Sequence, residues 1–121
     1  MSVTFSALNT TTDQWVADEL SVNMANANAA VVLDALGFAE DVAAGDLCGS
    51  VPAQDFLGRV LTGFGLAPTD PGRPATEDIG EHGARFIDCG RAPGYVQDRL
   101  GQLQALAEAA VADPQVVITW G

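Results

Sequence analysis

The spacing of apolar residues changes along this chain, from every second residue to a helical repeat of about 3.6 residues and back again. Val3, Phe5 and Ala7 alternate with serine and threonine, which predicts a half-buried strand. Residues 115–120 are nearly apolar throughout, which is typical of a central strand that is buried on both faces. Because both periods occur within 121 residues, we predict an α+β fold.

Three segments have the spacing of amphipathic helices, and they lie near residues 24–37, 51–64 and 94–112. Asn23 or Asn26 is expected to cap the first helix, and Gly37 is expected to end it in a left-handed conformation. The second helix is predicted to begin at Pro52, since proline at the first helical position needs no N–H partner. The third is expected to stop before Pro114.

Two further segments have the pattern of strands. Residues 15–22 follow the polar turn at 9–13 and predict a hairpin with the first strand. The predicted strand near 84–88, the last helix and the final strand follow one another with enough residues for a right-handed parallel crossover. The sequence therefore predicts one small mixed sheet of about four strands with three helices packed against it, in a single domain over residues 1–121.

Residues 68–83 interrupt this pattern with three prolines and three glycines. Within them, Ile79 is the one residue with the character of a core side chain. Loops longer than about 12–15 residues in small domains are usually functional or disordered. The composition is that of a linker, so we predict a mobile loop, with an ordered binding element as the alternative.

The charge of the chain excludes several classes of partner. There are 16 acidic side chains and five basic ones, all arginine, which gives a net charge of −11. Such a surface repels phosphates and anionic lipid headgroups, so we expect no direct nucleic-acid partner and no membrane partner. The absence of lysine excludes lysine Schiff-base chemistry. The N-terminus lacks the pattern of a secretory signal, which makes the cytoplasm the expected location.

The most unusual cluster of chemistry-bearing side chains lies at the predicted junction between a strand and the last helix. It consists of Asp88, Cys89, Arg91, Tyr95 and Arg99. Helix N-termini attract anions, so this junction is the candidate ligand or partner site. A glycine-containing turn, whose arginines bridge to the abundant carboxylates, explains the same residues. We favour that explanation because the residue six positions after Cys89 is Tyr95, where a tyrosine-phosphatase loop has arginine, and the glycines do not form G-x-G-x-x-G.

The chain lacks the spacing of a metal or catalytic centre. His82 is the only histidine, and Cys48 and Cys89 lie far apart in sequence, so no pair of ligands has the spacing of a zinc site. We expect both cysteines to be thiols, as in a reducing compartment. We assign no catalytic residue, no metal ligand and no cofactor, and an enzyme is the less favoured interpretation.

Three blocks of the chain support a resemblance. The first runs from Leu20 to Ala29 and is followed by Leu36-Gly37, the second covers residues 49–59, and the third joins residues 89–100 to the terminal 119–121. In these blocks the chain resembles a group of small uncharacterised proteins encoded by actinobacteria and their phages, which have no established function. The resemblance implies an actinobacterial or phage source and no mechanism.

These observations favour a non-catalytic acidic accessory or interaction protein, which binds itself or a basic protein surface. A variant of this hypothesis is a nucleic-acid mimic that occupies a basic groove of a DNA-binding protein. The alternative is a small enzyme, or an anion- or ligand-binding domain, with its site at the 88–99 junction. A homodimer is also predicted, because exposed apolar patches mark self-association and the chain has several large apolar groups: Trp15, Phe38, Phe64 and Trp120.

Overall fold

A computed structural model of the chain describes residues 2–66, 76–79, 85–88 and 94–121, with side chains at 2–64 and 94–121. These residues contain both strands and helices, with consecutive strands and consecutive helices among them, which confirms the α+β class. The strands are β1 (Ser2–Asn9), β2 (Gln14–Val16), β3 (Val22–Ala25), β4 (Gly49–Pro52), β5 (Thr76–Ile79), β6 (Arg85–Asp88) and β7 (Val116–Trp120). The helices are α1 (Asn26–Ala35), α2 (Ala39–Ala43), α3 (Ala53–Leu66) and α4 (Tyr95–Ala110), with a short 3-10 helix at Asp18–Leu20.

Five of the described strands form one sheet around β1. On one side of β1, the first half of β1 pairs with β3 and the second half of β1 pairs with β2. On the other side β1 pairs with β7, and β4 pairs with the far edge of β7. Each of these pairings is antiparallel. The sheet is therefore short and single-layered, with β1 and β7 in its middle.

The register of the strands sorts their side chains onto two faces, because alternate residues of a strand point to opposite sides. On the face that we call the inner face, Phe5 stands opposite both Val22 and Trp120. The inner face carries Val3, Phe5, Ala7, Val22, Met24, Val116, Ile118 and Trp120, all of which are buried. The other face, which we call the outer face, carries Ser2, Thr4, Ser6, Leu8, Trp15, Asn23, Ala25, Ser50, Pro52, Val117 and Thr119.

The core lies between the inner face and helices α1, α3 and α4. The rings of Phe5 and Phe56 are 6.2 Å apart, and those of Phe5 and Trp120 are 5.9 Å apart. Leu33 and Leu103 bury the facing sides of α1 and α4 in the same cluster. The buried residues of the described chain include no polar or charged side chain.

The predicted hairpin at the N-terminus is confirmed, but its second strand is interrupted. β2 pairs with β1 as expected. Asn9 closes the turn, since its Oδ1 accepts hydrogen bonds from the backbone N–H groups of Thr11 and Thr12 at 2.9 and 3.1 Å. The chain then leaves the strand at Ala17, whose φ is 49°, and enters the 3-10 helix. Strand pairing resumes only at β3. The long β1 thus pairs with two short strands in succession.

The first predicted helix is present, but its start differs from the prediction. The residue that precedes α1 is Ala25, without a side-chain cap, and Asn26 is the first helical residue. Asn23 instead lies in β3, where its amide donates hydrogen bonds to side chains of β1. The end agrees with the sequence, because Gly37 follows the helix with a φ of 89°.

The segment predicted as the start of the second helix is a strand. Gly49–Pro52 forms β4, and α3 begins only at Ala53. Ser50 and Pro52 suit a helix start, but they equally suit an edge strand. There the missing N–H of proline faces solvent and costs no hydrogen bond of the sheet. An alanine Cβ at Gly49 would lie 2.6 Å from the ring of Trp120, so only glycine fits there without displacement of that ring.

The predicted parallel crossover from β6 to β7 is wrong. Both edges of β7 are occupied by antiparallel neighbours, β1 and β4, and β6 pairs with β5. β5 also corrects the prediction of an irregular loop over residues 68–83, since Thr76–Ile79 is a strand. Its central Glu-Asp pair has low β-propensity and conceals the strand in the sequence. The rest of that predicted loop, including His82, lies outside the described residues.

Candidate functional site

Two of the five predicted site residues have described side chains. Tyr95 and Arg99 lie one turn apart at the start of α4, directly after Gly94, whose φ of 77° agrees with the predicted glycine turn. Cys89 and Arg91 lie outside the described residues. Only the backbone of Asp88 is described, in β6.

The guanidinium of Arg99 contacts neutral groups of its own helix. Its Cζ lies 5.0 Å from the centre of the Tyr95 ring, and its Nη1 donates to Gln102 Oε1 at 2.9 Å. Within the described part of the chain, Arg99 therefore contacts an aromatic ring and an amide and not a carboxylate. Arg99 lines a groove of about 300 Å³ between α4 and β3, and Glu19 lines the same groove. A carboxylate at this position opposes the binding of an anion, because like charges repel.

Arg59 makes contacts that its sequence neighbours do not reveal. Arg59 pairs with Asp55 one turn earlier on α3, with Nε and Oδ2 3.2 Å apart. In addition, Nη1 donates to the carbonyl of Leu36 at 3.0 Å, and Cζ lies 4.3 Å from the centre of the Phe38 ring. Arg59 lines a groove of about 520 Å³ together with Asp34. Since its guanidinium already binds three groups, Arg59 joins α3 to the end of α1.

The acidic residues whose side chains are described are all exposed, and none of them lies on the outer face. They surround the sheet on its turns, helices and helix ends. They are Asp13, Asp18, Glu19, Asp34, Glu40, Asp41, Asp46, Asp55, Asp98, Glu108 and Asp113. Among these residues, the negative charge therefore lies off the outer face.

The outer face has no charged side chain, and a row of apolar groups crosses it. Leu8 stands opposite Trp15 on one side and Val117 on the other, and Val117 stands opposite Pro52. The side chain of Trp15 is exposed, with a relative accessibility of 58% for the residue. Because this exposed ring adjoins the other apolar groups of the row, the row is a candidate binding surface.

A second row on the outer face consists of hydroxyl groups. Ser6 stands opposite Thr119, and Thr119 stands opposite Ser50. Beyond this row, the amide of Asn23 donates to Thr4 Oγ1 at 2.8 Å. A depression of about 370 Å³ lies among Thr4, Ser6, Trp15 and the end of β7. The outer face thus combines an apolar row with hydroxyl and amide groups that both donate and accept hydrogen bonds.

The four aromatic residues predicted to promote self-association occupy different environments. Trp120 belongs to the core, at 6% accessibility, and its ring is 5.0 Å from that of Phe38. Phe38 and Phe64 are half-buried against the core. Trp15 alone among the four is exposed. The periodicity around Trp15 did not identify it as a surface residue, because its orientation depends on its pairing with Leu8.

The described part of the chain offers few other candidate sites. Its side chains form no group of three histidine, cysteine or acidic residues able to hold a metal ion. Cys48 is an exposed free thiol. Within the same residues, no helix has the length and apolar character needed to cross a membrane.

Comparisons with protein-family models, with curated proteins and with solved structures found no match. The resemblance to actinobacterial and phage proteins therefore stays a prediction.

Proposed function

We propose that this protein is a non-catalytic interaction protein, which binds a second copy of itself or a basic protein surface. The observation that carries the proposal is the outer face, an uncharged sheet surface with the exposed ring of Trp15 at its edge. Tryptophan residues are enriched among the residues that contribute most to protein interfaces. Apolar groups rimmed by hydroxyls are likewise typical of a protein-binding surface.

The acidic surface supports binding of a basic partner. The net charge is −11, and the described acidic side chains are exposed on the turns and helices around the sheet. A basic protein would be attracted to this surface over about a Debye length, which is about 10 Å at 0.1 M salt. Binding to the acidic surface is therefore sensitive to salt, whereas binding to the outer face is not.

The alternative, an enzyme or an anion-binding domain at the 88–99 junction, has weaker support. The described part of that junction holds Arg99, whose guanidinium is already in contact with Tyr95 and Gln102. Glu19 lines the adjoining groove and opposes an anionic ligand.

Affinity capture from a lysate of the encoding organism tests this proposal. The immobilised baits are the wild-type protein, Trp15→Ala and the matched control Leu61→Ala, which removes another exposed apolar side chain, 52% accessible, from α3. Washing at about 0.1 M and about 0.5 M salt separates charge-driven partners from others.

We expect a protein that is lost with Trp15→Ala and kept with Leu61→Ala, or one that is released from all baits by high salt. Two results would contradict the proposal. One is a partner that binds all baits equally at both salt concentrations. The other is the absence of any bound protein together with a wild-type mass that stays at 12.5 kDa in solution.

A further inference from the structure

We propose that the outer face binds a second copy of this chain, face to face, about a twofold axis. This inference rests on the proposed interaction function. The occupant of the face follows from three properties of the described residues: where the charges lie, which hydrogen-bonding groups the face presents, and how large the face is.

The distribution of charge favours a like-charged partner at this face. Two copies of a protein with a net charge of −11 repel each other in most orientations. Among the side chains described at 2–64 and 94–121, no acidic group lies on the outer face, so two copies meet the least repulsion from these groups there. A basic partner gains no attraction from an uncharged face and would be drawn to the acidic surface instead.

The chemistry of the outer face is complementary to itself. A twofold interface presents the same patch on both subunits, so its polar groups must be able to pair with their own kind. Hydroxyl groups and the asparagine amide both donate and accept, and the polar side chains of the face are of these two types. They are Ser2, Thr4, Ser6, Asn23, Ser50 and Thr119. The apolar row that begins at Trp15 would bury its surface against the partner.

The area of the outer face predicts a reversible dimer. With strands about 4.8 Å apart and a rise of about 3.4 Å per residue, the five strands cover roughly 400 Å² in projection. A standard interface buries about 800 Å² on each partner, and smaller interfaces are typical of weak association. We therefore expect a monomer at low concentration and a dimer at high micromolar concentration.

Charge substitutions at Ser6 test the dimer directly. Ser6 and Thr119 are paired on the two middle strands of the sheet, so a charge at Ser6 lies near the middle of the face. Ser6→Glu and Ser6→Arg should each weaken self-association by at least about tenfold, because like charges meet across the axis. An equimolar mixture of the two variants should recover the dimer, since opposite charges then face each other. Sedimentation equilibrium over a range of concentrations measures all three samples.

Matched controls separate this effect from changes in charge or folding. Thr62→Glu and Thr62→Arg place the same charges at an exposed position of α3, away from the outer face, and should dimerise as the wild type does. Ser6 is half-buried, so thermal melting must show that its variants are folded. If they are not, the same pair of substitutions at Ser50, an exposed outer-face residue on β4, replaces them.

Three results would overturn the inference: a wild-type mass that stays at 12.5 kDa at every concentration, a dimer unaffected by charges at Ser6 and Ser50, or no recovery in the mixture. If the protein is monomeric but still captures a different protein through Trp15, the inference fails while the proposed interaction function stands. Loss of both the dimer and the captured partner rejects the two together.

Discussion

The two faces of the five-stranded sheet are made from alternate residues of the same strands, yet they have opposite properties. On β7, Ile118 is fully buried in the core, whereas its neighbour Val117 is half-buried on the outer face. On β1, Phe5 contacts two aromatic rings, and the adjacent Ser6 lies within hydrogen-bond distance of another serine hydroxyl. Removal of water from the inner face stabilises the fold, and the outer face is the surface that we propose for binding.

This comparison also shows where charge is tolerated. The described acidic side chains lie off both faces, at turns and on the solvent side of helices. Acidic side chains are excluded from the inner face because burying a charge is costly. Desolvation imposes no such cost on an exposed face, so the absence of charge from the outer face calls for a different reason. Binding at that face, as proposed above, would account for it.

The largest expected effect is a difference in unfolding free energy between a variant of the inner face and a variant of the outer face. Ile118→Ala should lower the free energy of unfolding by about 2–5 kcal/mol, because it leaves a cavity in a close-packed core. Val117→Ala, one residue earlier on β7, should cost less than about 1 kcal/mol, as is usual outside the core. Urea denaturation of both variants measures the difference. Equal losses would show that the outer face is as tightly packed as the inner one.

The second prediction concerns how closely the inner face is packed. Gly49→Ala should destabilise the protein by about 1–3 kcal/mol, since the new methyl group would overlap the ring of Trp120. Gly101→Ala on α4 meets no atom within 4 Å and should stabilise the helix by about 0.5–1 kcal/mol. Thermal melting of the pair should therefore give shifts of opposite sign. A harmless Gly49→Ala would mean that Trp120 can move away at little cost.

The smallest effect is expected on the outer face itself. Asn23→Ala removes hydrogen bonds to Ser2 Oγ at 3.1 Å and Thr4 Oγ1 at 2.8 Å, but water can replace the lost amide at this exposed position. We expect a change below about 1 kcal/mol in the free energy of unfolding. The dimer should be weakened more clearly than the fold, which sedimentation of the same variant checks. A loss comparable to that of Ile118→Ala would assign the amide a structural role.

Local patterns were sufficient for much of the fold. The alternation at Val3, Phe5 and Ala7 predicted both β1 and the side of it that is buried, because a period of two residues directly encodes orientation. Gly37 marked the end of α1 in the same way, since few other residues adopt a positive φ. The helical spacing of residues 95–110 likewise predicted α4.

The candidate sites were predictable only where their residues are close in sequence. Tyr95 and Arg99 are four residues apart on one helix, and the structure brings them into contact as that spacing requires. Arg59 and Asp55 pair for the same reason. The hydrogen bond from Arg59 to the Leu36 carbonyl spans 23 residues, and no local pattern indicates it.

The sequence by itself determined the class of the fold, the orientation of its first strand and the negative charge of its surface, because composition and periodicity are local properties. Only the tertiary structure decided that Gly49–Pro52 is a strand, since this depends on the open edge of β7. It also decided that the outer face is one continuous uncharged surface. Ser6 and Thr119 lie on opposite ends of the chain and become neighbours only through the antiparallel pairing of β1 with β7. Pairing and register depend on packing between distant segments, and this is why the surface we propose for binding is absent from any single stretch of residues.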